Sequence, residues 1–411
     1  MPRQSRTPPV HVLHVLLHGR EIGALTRLPD DRTVLTLGDE YVRDPERPTL
    51  SLSLKKPGGE VAVPGRPTHV KVPAFFSNLL PEGHLREYLA GKRGVKPERE
   101  FFLLWLLGED LPGAVAVRPE GDAAMPKDAE GDAEHEPTEA DVLRFSLAGL
   151  QLKFSAVMES AGGLTIPAHG VGGDWIVKLP SARFESVPEN EFVMLALARA
   201  AGIDVPETML VPVEKIARLP SGVAPGGVAL AVRRFDRSGD GGRVHTEDFA
   251  QVFNLFPAEK YRTASCENLA AVLWAEAGQP DMAEFARRLA FTALIGNGDL
   301  HLKNWSLIYR DGRTPQLAPA YDFVSTVAYV ADDRMALSLG GTKRWADVST
   351  DLFRRFAAKA RLPESLVVDA ALETARRFRD AWEHHDVVGR LPDTLRARVA
   401  EHLRAVPLSG E

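Results

Sequence analysis

The stretch GNGDLHLKNW at residues 296–305, followed by AYDF at 320–323, constrains this chain more than any other feature. It places Asp299, Asn304 and Asp322 in the order and approximate spacing that phosphoryl-transfer enzymes use to hold magnesium. A fold that uses all three must bring two irregular loops to one cleft. The apolar segment from Leu289 to Ile295, stopped by Gly296, reads as a buried helix leading into the first loop. Taken alone, the same Asp, Asn and Gly residues also suit a solvated turn after such a helix.

The residue types follow from the chemistry of a kinase. A carboxylate must accept the proton of the acceptor hydroxyl, and oxygen ligands must hold metal ions that bridge the β- and γ-phosphates. Magnesium favours hard oxygen donors, one or two of them carboxylates, and keeps several waters. Asp299 is the expected catalytic group, with Asn304 the neutral and Asp322 the charged metal ligand. The Asp299 to Asn304 separation matches the signature H-R-D-x-x-x-x-N. The pattern also departs from it. His301 follows the base rather than preceding it, Lys303 is displaced from the usual lysine position, and Val324 stands where D-F-G has glycine.

Upstream, WIVKLP is a β-branched apolar run carrying Lys178 and ended by Pro180, which reads as a buried strand. A buried ammonium requires an anionic partner, such as an ATP phosphate; a strand-end lysine reaching water is the plainer alternative. ENEFVMLALARAAG then has helical spacing and a stop at Gly202. Glu191 is the first candidate to pair with Lys178 and Glu189 the second, although either could simply complement the helix dipole. In LAVRRFDR a strand runs into a charged segment, where a two-lobed kinase has its adenine-binding hinge. Arg234 and Phe235 would lie at that hinge, and Asp236 would reach the ribose. An ordinary strand end with a solvated Arg/Asp cluster accounts for the same residues.

The pieces FFSNLLPEGHLRE, LLWLLGEDLPGAVAV, FSLAGLQLKFS, WIVKLP, ENEF, VRRFDR, EDFAQVF, GNGDLHLKNWSL and LAPAYDFVST occur in the order seen in one family. Through them, over most of its length, the chain resembles the HipA family of bacterial toxin serine/threonine kinases. The resemblance implies that FSLAGLQLKFS is the nucleotide-binding loop, with Gly149, Gln151 and Lys153 at the positions of the A-G-x-Q-x-K pattern. It implies that Ser146 contributes to nucleotide binding and can be autophosphorylated to switch the enzyme off. A phosphoserine would add roughly −1.5 to −2 charges beside a polyphosphate site. His301 is counted with the nucleotide-binding residues and is expected to hold the catalytic loop by a hydrogen bond. The cofactors implied are ATP and Mg²⁺. The partners implied are a helix-turn-helix antitoxin, DNA only through that antitoxin, and a protein substrate such as an aminoacyl-tRNA synthetase. Two rival functions share these residues: a catalytically idle kinase-fold co-repressor, and a small-molecule or lipid kinase.

The expected fold class is α+β, a two-lobed protein-kinase-like fold with a mixed N-lobe, a mainly helical C-lobe and an additional small N-terminal α+β subdomain. The expected boundaries are 1–117 for the subdomain, 118–141 for an acidic linker or loop, 142–235 for the N-lobe and 236–411 for the C-lobe. The linker stands out because RPEGDAAMPKDAEGDAEHEPTEAD carries few residues able to bury surface. VHVLHVLLHG and SLSLKK read as strands separated by turns at PDDR and DPERP, and 74–111 reads as helical. N-lobe strands are expected at 145–158, 164–167, 174–179, 208–213 and 228–233. Helices are expected at 266–277, 282–295, 352–360 and 366–382. The segment 324–345 would take the activation-segment position, with Gly340 and Gly341 at a turn and Lys343 and Arg344 a solvated basic pair.

Composition narrows the function classes. One cysteine, Cys266, excludes an intramolecular disulfide scaffold. FFLLWLLG is too short to span a bilayer, and MPRQSRTPPVHVL precedes no secretory apolar core, so a cytoplasmic location is expected. A net charge of −6 offers no general attraction to nucleic acid. His11, His14 and His18 lie on a probable strand without a matching ligand set, which disfavours a metal site there.

Overall fold

The computed structural model describes residues 11–62, 66–92, 94–121, 125–126, 129, 153–158, 163–166, 172–181, 183–219, 226–239, 241–262 and 264–411. In β1 (His11–Leu17) strict alternation sends Leu13, Val15 and Leu17 to one face, where all three are fully buried. β2 (Arg20–Arg27) and β3 (Arg32–Leu37) continue the meander, with PDDR forming the turn between them. The short helix α1 (Asp39–Arg43) and the two-residue β4 (Thr68–His69) follow. Three helices come next: α2 (Ala74–Leu79), α3 (Gly83–Lys92) and α4 (Glu100–Leu107). β5 (Val115–Pro119) then pairs antiparallel with β1, completing a sheet of order β4-β3-β2-β1-β5. Phe75, Phe76, Phe101 and Phe102 pack on this sheet as a separate core.

One expectation for this subdomain is corrected, and a second, the helical 74–111 segment, is subdivided. SLSLKK forms a 3-10 turn at Leu52–Leu54, not a strand, because its polar groups bond elsewhere. Ser51 Oγ accepts from Ser53 N and donates to Glu247, and Leu52 N also donates to Glu247. The 74–111 stretch is three helices, because Pro81 forces Leu80 into an extended conformation and ends α2.

The second unit is a six-stranded sheet. Its strands are β6 (Lys153–Met158), β7 (Leu164–Thr165), β8 (Trp175–Lys178), β9 (Thr208–Pro212), β10 (Ile216–Ala217) and β11 (Val228–Arg233), in the order β10-β7-β6-β8-β11-β9. β8 is an interior strand between β6 and β11, with Trp175, Val177 and Lys178 buried and Ile176 partly so. Helix α5 (Val187–Ala200) carries Val193, Met194, Leu197 and Ala198 into the main core.

The third unit holds α7 (Cys266–Glu276), α8 (Gln279–Ile295), α9 (Thr350–Ala360), α10 (Glu364–His384) and α11 (Asp393–Ala405), after β12 (His245–Asp248) and the one-turn α6 (Phe249–Val252). Phe291 and Phe378 are fully buried where α8 meets α10, Phe285 is fully buried beside Phe356 of α9, and each such side chain contributes roughly 1.5–3 kcal/mol. The helical expectation for this lobe omitted a sheet: β12 pairs with β13 (Ser306–Tyr309), which pairs with β14 (Gln316–Leu317). Strands this short leave too little periodicity to read. Helix α11 was also unread, because a buried polar residue, His402, interrupts its apolar stripe while bonding the Ala293 carbonyl at 2.8 Å.

Between α8 and β13 lies the GNGDLHLKNW loop. The 320–323 loop follows β14. Both loops therefore hang from one small sheet and one buried helix. Among the described residues no helix is long and apolar enough to cross a membrane.

Candidate active site

Lys178 ends β8, and Glu191 lies in the first turns of α5, which packs across the same sheet. Their side chains meet at 2.5 Å, and Glu191 rather than Glu189 is the partner. Lys178 also donates to Asp322 Oδ1. The lysine is 7% exposed and Glu191 fully buried, whereas the Asp322 side chain keeps 26% of its surface. Burial opposes the lysine's charge, but Asp322 and Glu191 outweigh it and raise its pKa. For Asp322, burial likewise opposes charge, yet Lys178 and Lys153 hold the carboxyl down at about 2. Glu191 moves the other way, raised by burial and by the nearby Asp322, because one ammonium cannot fully compensate two acids. Its Oε2 is buried without a hydrogen-bond partner.

Asp322 has φ 55, a left-handed conformation that aspartate tolerates better than most residues. Phe323 anchors it from below, buried and 5.1 Å from the Phe291 ring. Asn297, which the sequence reasoning did not single out, joins the two loops. Its Nδ2 donates to the Asp322 carbonyl at 3.1 Å, and its Oδ1 accepts from Asp299 N at 3.1 Å. Fully buried and polar, directly after a helix stop, it looks in sequence like an ordinary turn residue. A Cβ at the neighbouring Gly298 would lie 2.2 Å from Asp333 Oδ1, so any side chain there would have to displace the Asp333 carboxylate.

Asn304 Nδ2 donates to the Asp299 carbonyl at 3.0 Å, so Oδ1 is the atom left for a metal. A second residue missed in sequence, Tyr261, donates its hydroxyl to Asp299 Oδ1 at 2.6 Å. Its ring meets His301 edge-on, with centroids 4.9 Å apart. The role expected of His301 is corrected here. Its backbone N–H bonds the Asp299 carbonyl at 2.8 Å, whereas ring Nδ1 is buried and unpartnered. Burial and the nearby Lys260 lower its pKa to about 4, so the imidazole is neutral at pH 7.

On the N-lobe side, Lys153 stands opposite Lys178 in the β6–β8 register, adding a second cation to this face. Ser146, Gly149 and Gln151 lie outside the described residues, as does most of the 118–141 segment. At the hinge, Phe235 is half-buried against Tyr321, 5.7 Å between centroids, beside Asp322.

Asp236 departs from its expected role. Arg234 Nε donates to its Oδ1 at 2.9 Å, while Arg234 Nη2, Arg237 Nη1 and Gly113 N all donate to its Oδ2 at 2.8 Å. Asp110 accepts from Arg237 at 2.8 Å in the same cluster. Asp236 thus fastens the hinge to the N-terminal subdomain and is not free to reach a ribose; Arg234 is engaged with it. In the 324–345 segment, Gly340 and Gly341 make the expected turn between Leu339 and Thr342. Lys343 and Arg344 are both exposed, as expected of a solvated pair, and Lys343 Nζ also donates to the Ala336 carbonyl at 2.7 Å.

The residues present suit magnesium held jointly with phosphate. Among the described residues no group of three or more His, Cys, Asp or Glu forms a self-sufficient metal cage. One carboxylate and one amide oxygen beside two lysines are what an ion shared with a polyphosphate needs.

Comparison with known proteins gives the family and the fold. Residues 145–382 match the HipA-like C-terminal domain, and residues 13–118 match the HipA N-terminal domain. A Sinorhizobium fredii protein named "Putative kinase Y4dM" is 54% identical over 381 residues, covering 92% of each chain. The serine/threonine-protein kinase toxin HipA of Shewanella oneidensis is 25% identical over 401 residues, 85% of this chain and 84% of that one. In structure, the chain superposes on the Shewanella oneidensis HipA–HipB–operator DNA complex with a TM-score of 0.71, covering 97% of this chain and 96% of that chain at 22% identity.

Proposed function

This chain belongs to the HipA family, and from that premise we propose that it is an ATP- and Mg²⁺-dependent serine/threonine protein kinase acting as the toxin of a toxin–antitoxin pair. The observation that carries this reading is the convergence of Lys178, Glu191 and Asp322 from three distant segments, with Asn297 tying Asp322 to the Asp299 loop. No purely structural need explains two acids sharing one buried lysine, with a carboxylate oxygen left unpartnered.

In the proposed reaction Lys178 moves from Asp322 to the nucleotide phosphates while Glu191 keeps its ammonium in place. Asp322 and the Asn304 amide oxygen would hold Mg²⁺, which when bound neutralises charge on the phosphates. Asp299 accepts a hydrogen bond from the acceptor hydroxyl, orients its oxygen and takes its proton. Tyr261 keeps the Asp299 carboxylate fixed until the acceptor arrives. The His301 ring walls the loop, packed edge-on against Tyr261. We assign Ser146 as an inhibitory autophosphorylation site within the nucleotide loop, with Gly149, Gln151 and Lys153 contributing to nucleotide binding. The substrate class we infer is an aminoacyl-tRNA synthetase, and the partner a helix-turn-helix antitoxin through which the protein reaches DNA. Retention of Asp299, Asn304 and Asp322 argues against an idle co-repressor.

Brief expression of wild type and Asp299→Ala, followed by phosphoproteomics, tests the reading. A phosphoserine or phosphothreonine on a synthetase that is absent with the variant is the expected result. The purified variant should lose on the order of 100- to 10,000-fold in transfer rate with its fold retained. Transfer at the wild-type rate would end the assignment.

A further inference from the structure

Glu82 lies in the LLPEG turn between α2 and α3, outside both kinase lobes. Its Oε1 is 2.5 Å from Lys303 Nζ, and its Oε2 is 2.9 Å from Lys260 Nζ. Lys303 immediately precedes Asn304, and its ammonium also donates to the Asn78 carbonyl at 3.1 Å. Lys260 immediately precedes Tyr261, and its ammonium lies 5.6 Å from the centre of that ring. Its carbonyl accepts Leu302 N at 3.3 Å, which joins the 260 segment to the catalytic loop. A single carboxylate from the N-terminal subdomain therefore grips the segment that supports Asp299 and the residue next to Asn304.

A plain interdomain ion pair would explain one of these contacts, and exposed pairs of that kind contribute little to stability. It does not explain why both partners sit next to site residues, nor why their side chains are only 22% and 13% exposed. The subdomain has other contacts with the C-lobe, such as Asn78 Nδ2 to the Leu255 carbonyl at 2.7 Å and Gln251 Nε2 to the Phe75 carbonyl at 3.0 Å. Those contacts hold the two units together without Glu82.

We propose that Glu82 is a positioning residue for phosphoryl transfer, acting through Lys260 and Tyr261 on Asp299 and through Lys303 on Asn304. The inference rests on the kinase reading above. Displacing a reacting group by a fraction of an ångström slows the chemical step while leaving ground-state nucleotide binding nearly untouched. The subdomain is then part of the catalytic unit, since it supplies an acid that the two lobes lack.

The test uses the full chain with Mg-ATP, reading ³²P transfer into a heat-treated, dephosphorylated bacterial lysate and ADP release. Glu82→Gln is expected to lower kcat on the order of 10- to 100-fold, with the KM for ATP within about twofold. The Glu82→Gln/Tyr261→Phe double variant should lose less than the product of the two single-variant losses, because both changes act on the arm that runs through Lys260 and Tyr261 to Asp299. A Glu82→Gln rate within about twofold of wild type, a loss carried by KM for ATP alone, or single-variant losses that multiply in the double variant would each overturn the proposal. Should Glu82→Gln fail to fold, Lys260→Gln replaces it in the same cycle. Asp299→Ala transferring at the wild-type rate would instead remove the kinase reading itself, so the two failures are distinguishable.

Discussion

Two buried charge clusters lie on either side of the N-lobe, and they are built to opposite plans. Around Asp236, two buried carboxylates are fully engaged by the guanidinium groups of Arg234 and Arg237, with the more exposed Arg243 3.8 Å from Asp110. Asp110, Asp236, Arg234 and Arg237 have side chains between 7% and 10% exposed, and both Asp236 oxygens are saturated with donors. Around Lys178, two acids share one ammonium, one carboxylate oxygen lacks a partner, and Asp322 remains open to solvent at 26%. The Asp236 cluster spends its interactions on itself and fastens the hinge to the subdomain. The mismatched one keeps capacity for something that is not protein. Satisfaction of the polar atoms, rather than the presence of charge, separates a structural network from a binding site.

The largest expected effect breaks the comparison if it goes astray. Asp236→Asn leaves Arg234 and Arg237 under-compensated and should lower unfolding stability by about 3–5 kcal/mol, read by chemical denaturation, while Mg-ATP affinity stays within about twofold. Lost affinity with unchanged stability would return Asp236 to the nucleotide site.

A third buried acid sharpens the contrast, because Glu247 is buried with no cation against it. It accepts from Ser51 Oγ at 2.6 Å, Leu52 N at 2.9 Å and Tyr309 Oη at 2.5 Å across the subdomain seam. Burial pushes its pKa up to about 7. The folded state therefore holds a proton that the unfolded chain releases near pH 4.5. The associated stability is present below that pH and is lost as pH rises through 7, about 3 kcal/mol in all. Glu247→Gln should flatten this fall in thermal melts between pH 5 and 8, and an unchanged slope would assign the proton elsewhere.

The smallest effect concerns the mismatched cluster itself. Asp322→Asn should weaken Mg-ATP binding on the order of tenfold, about 1.4 kcal/mol, yet leave metal-free ATP binding equal or tighter because a negative charge has gone. Calorimetric titration with and without magnesium reads both. Equal weakening in the two conditions would make Asp322 a structural acid like Asp236.

Much of this was legible in the sequence where a residue's chemistry and its position agreed. Lys178 on an apolar run, Glu191 on an apolar-striped helix and the order Asp299–Asn304–Asp322 could be read because burying those types demands a reason. Asp236 misled because RRFDR has the same composition whether its arginines face a ligand or their own aspartate; only folding brings Gly113 and Asp110 to it. Asn297 and Tyr261 were missed for a related reason. Each acts through a hydrogen bond to a residue distant in the chain, Asn297 to Asp322 and Tyr261 to Asp299, and neither type is unusual in a turn. The strand β12 escaped because Glu247 is buried by contacts from the subdomain and Asp248 by capping the helix that follows, neither of which periodicity encodes.

The left-handed backbone at Asp322 has one more consequence. Outside glycine that conformation costs roughly 1–2 kcal/mol, and here the Asn297 amide grips the carbonyl while the Phe323 ring is locked against Phe291. The carboxylate is thus held between two fixed points, one polar on its own carbonyl and one apolar in the core, so its aim is set by the backbone as well as by the side chain.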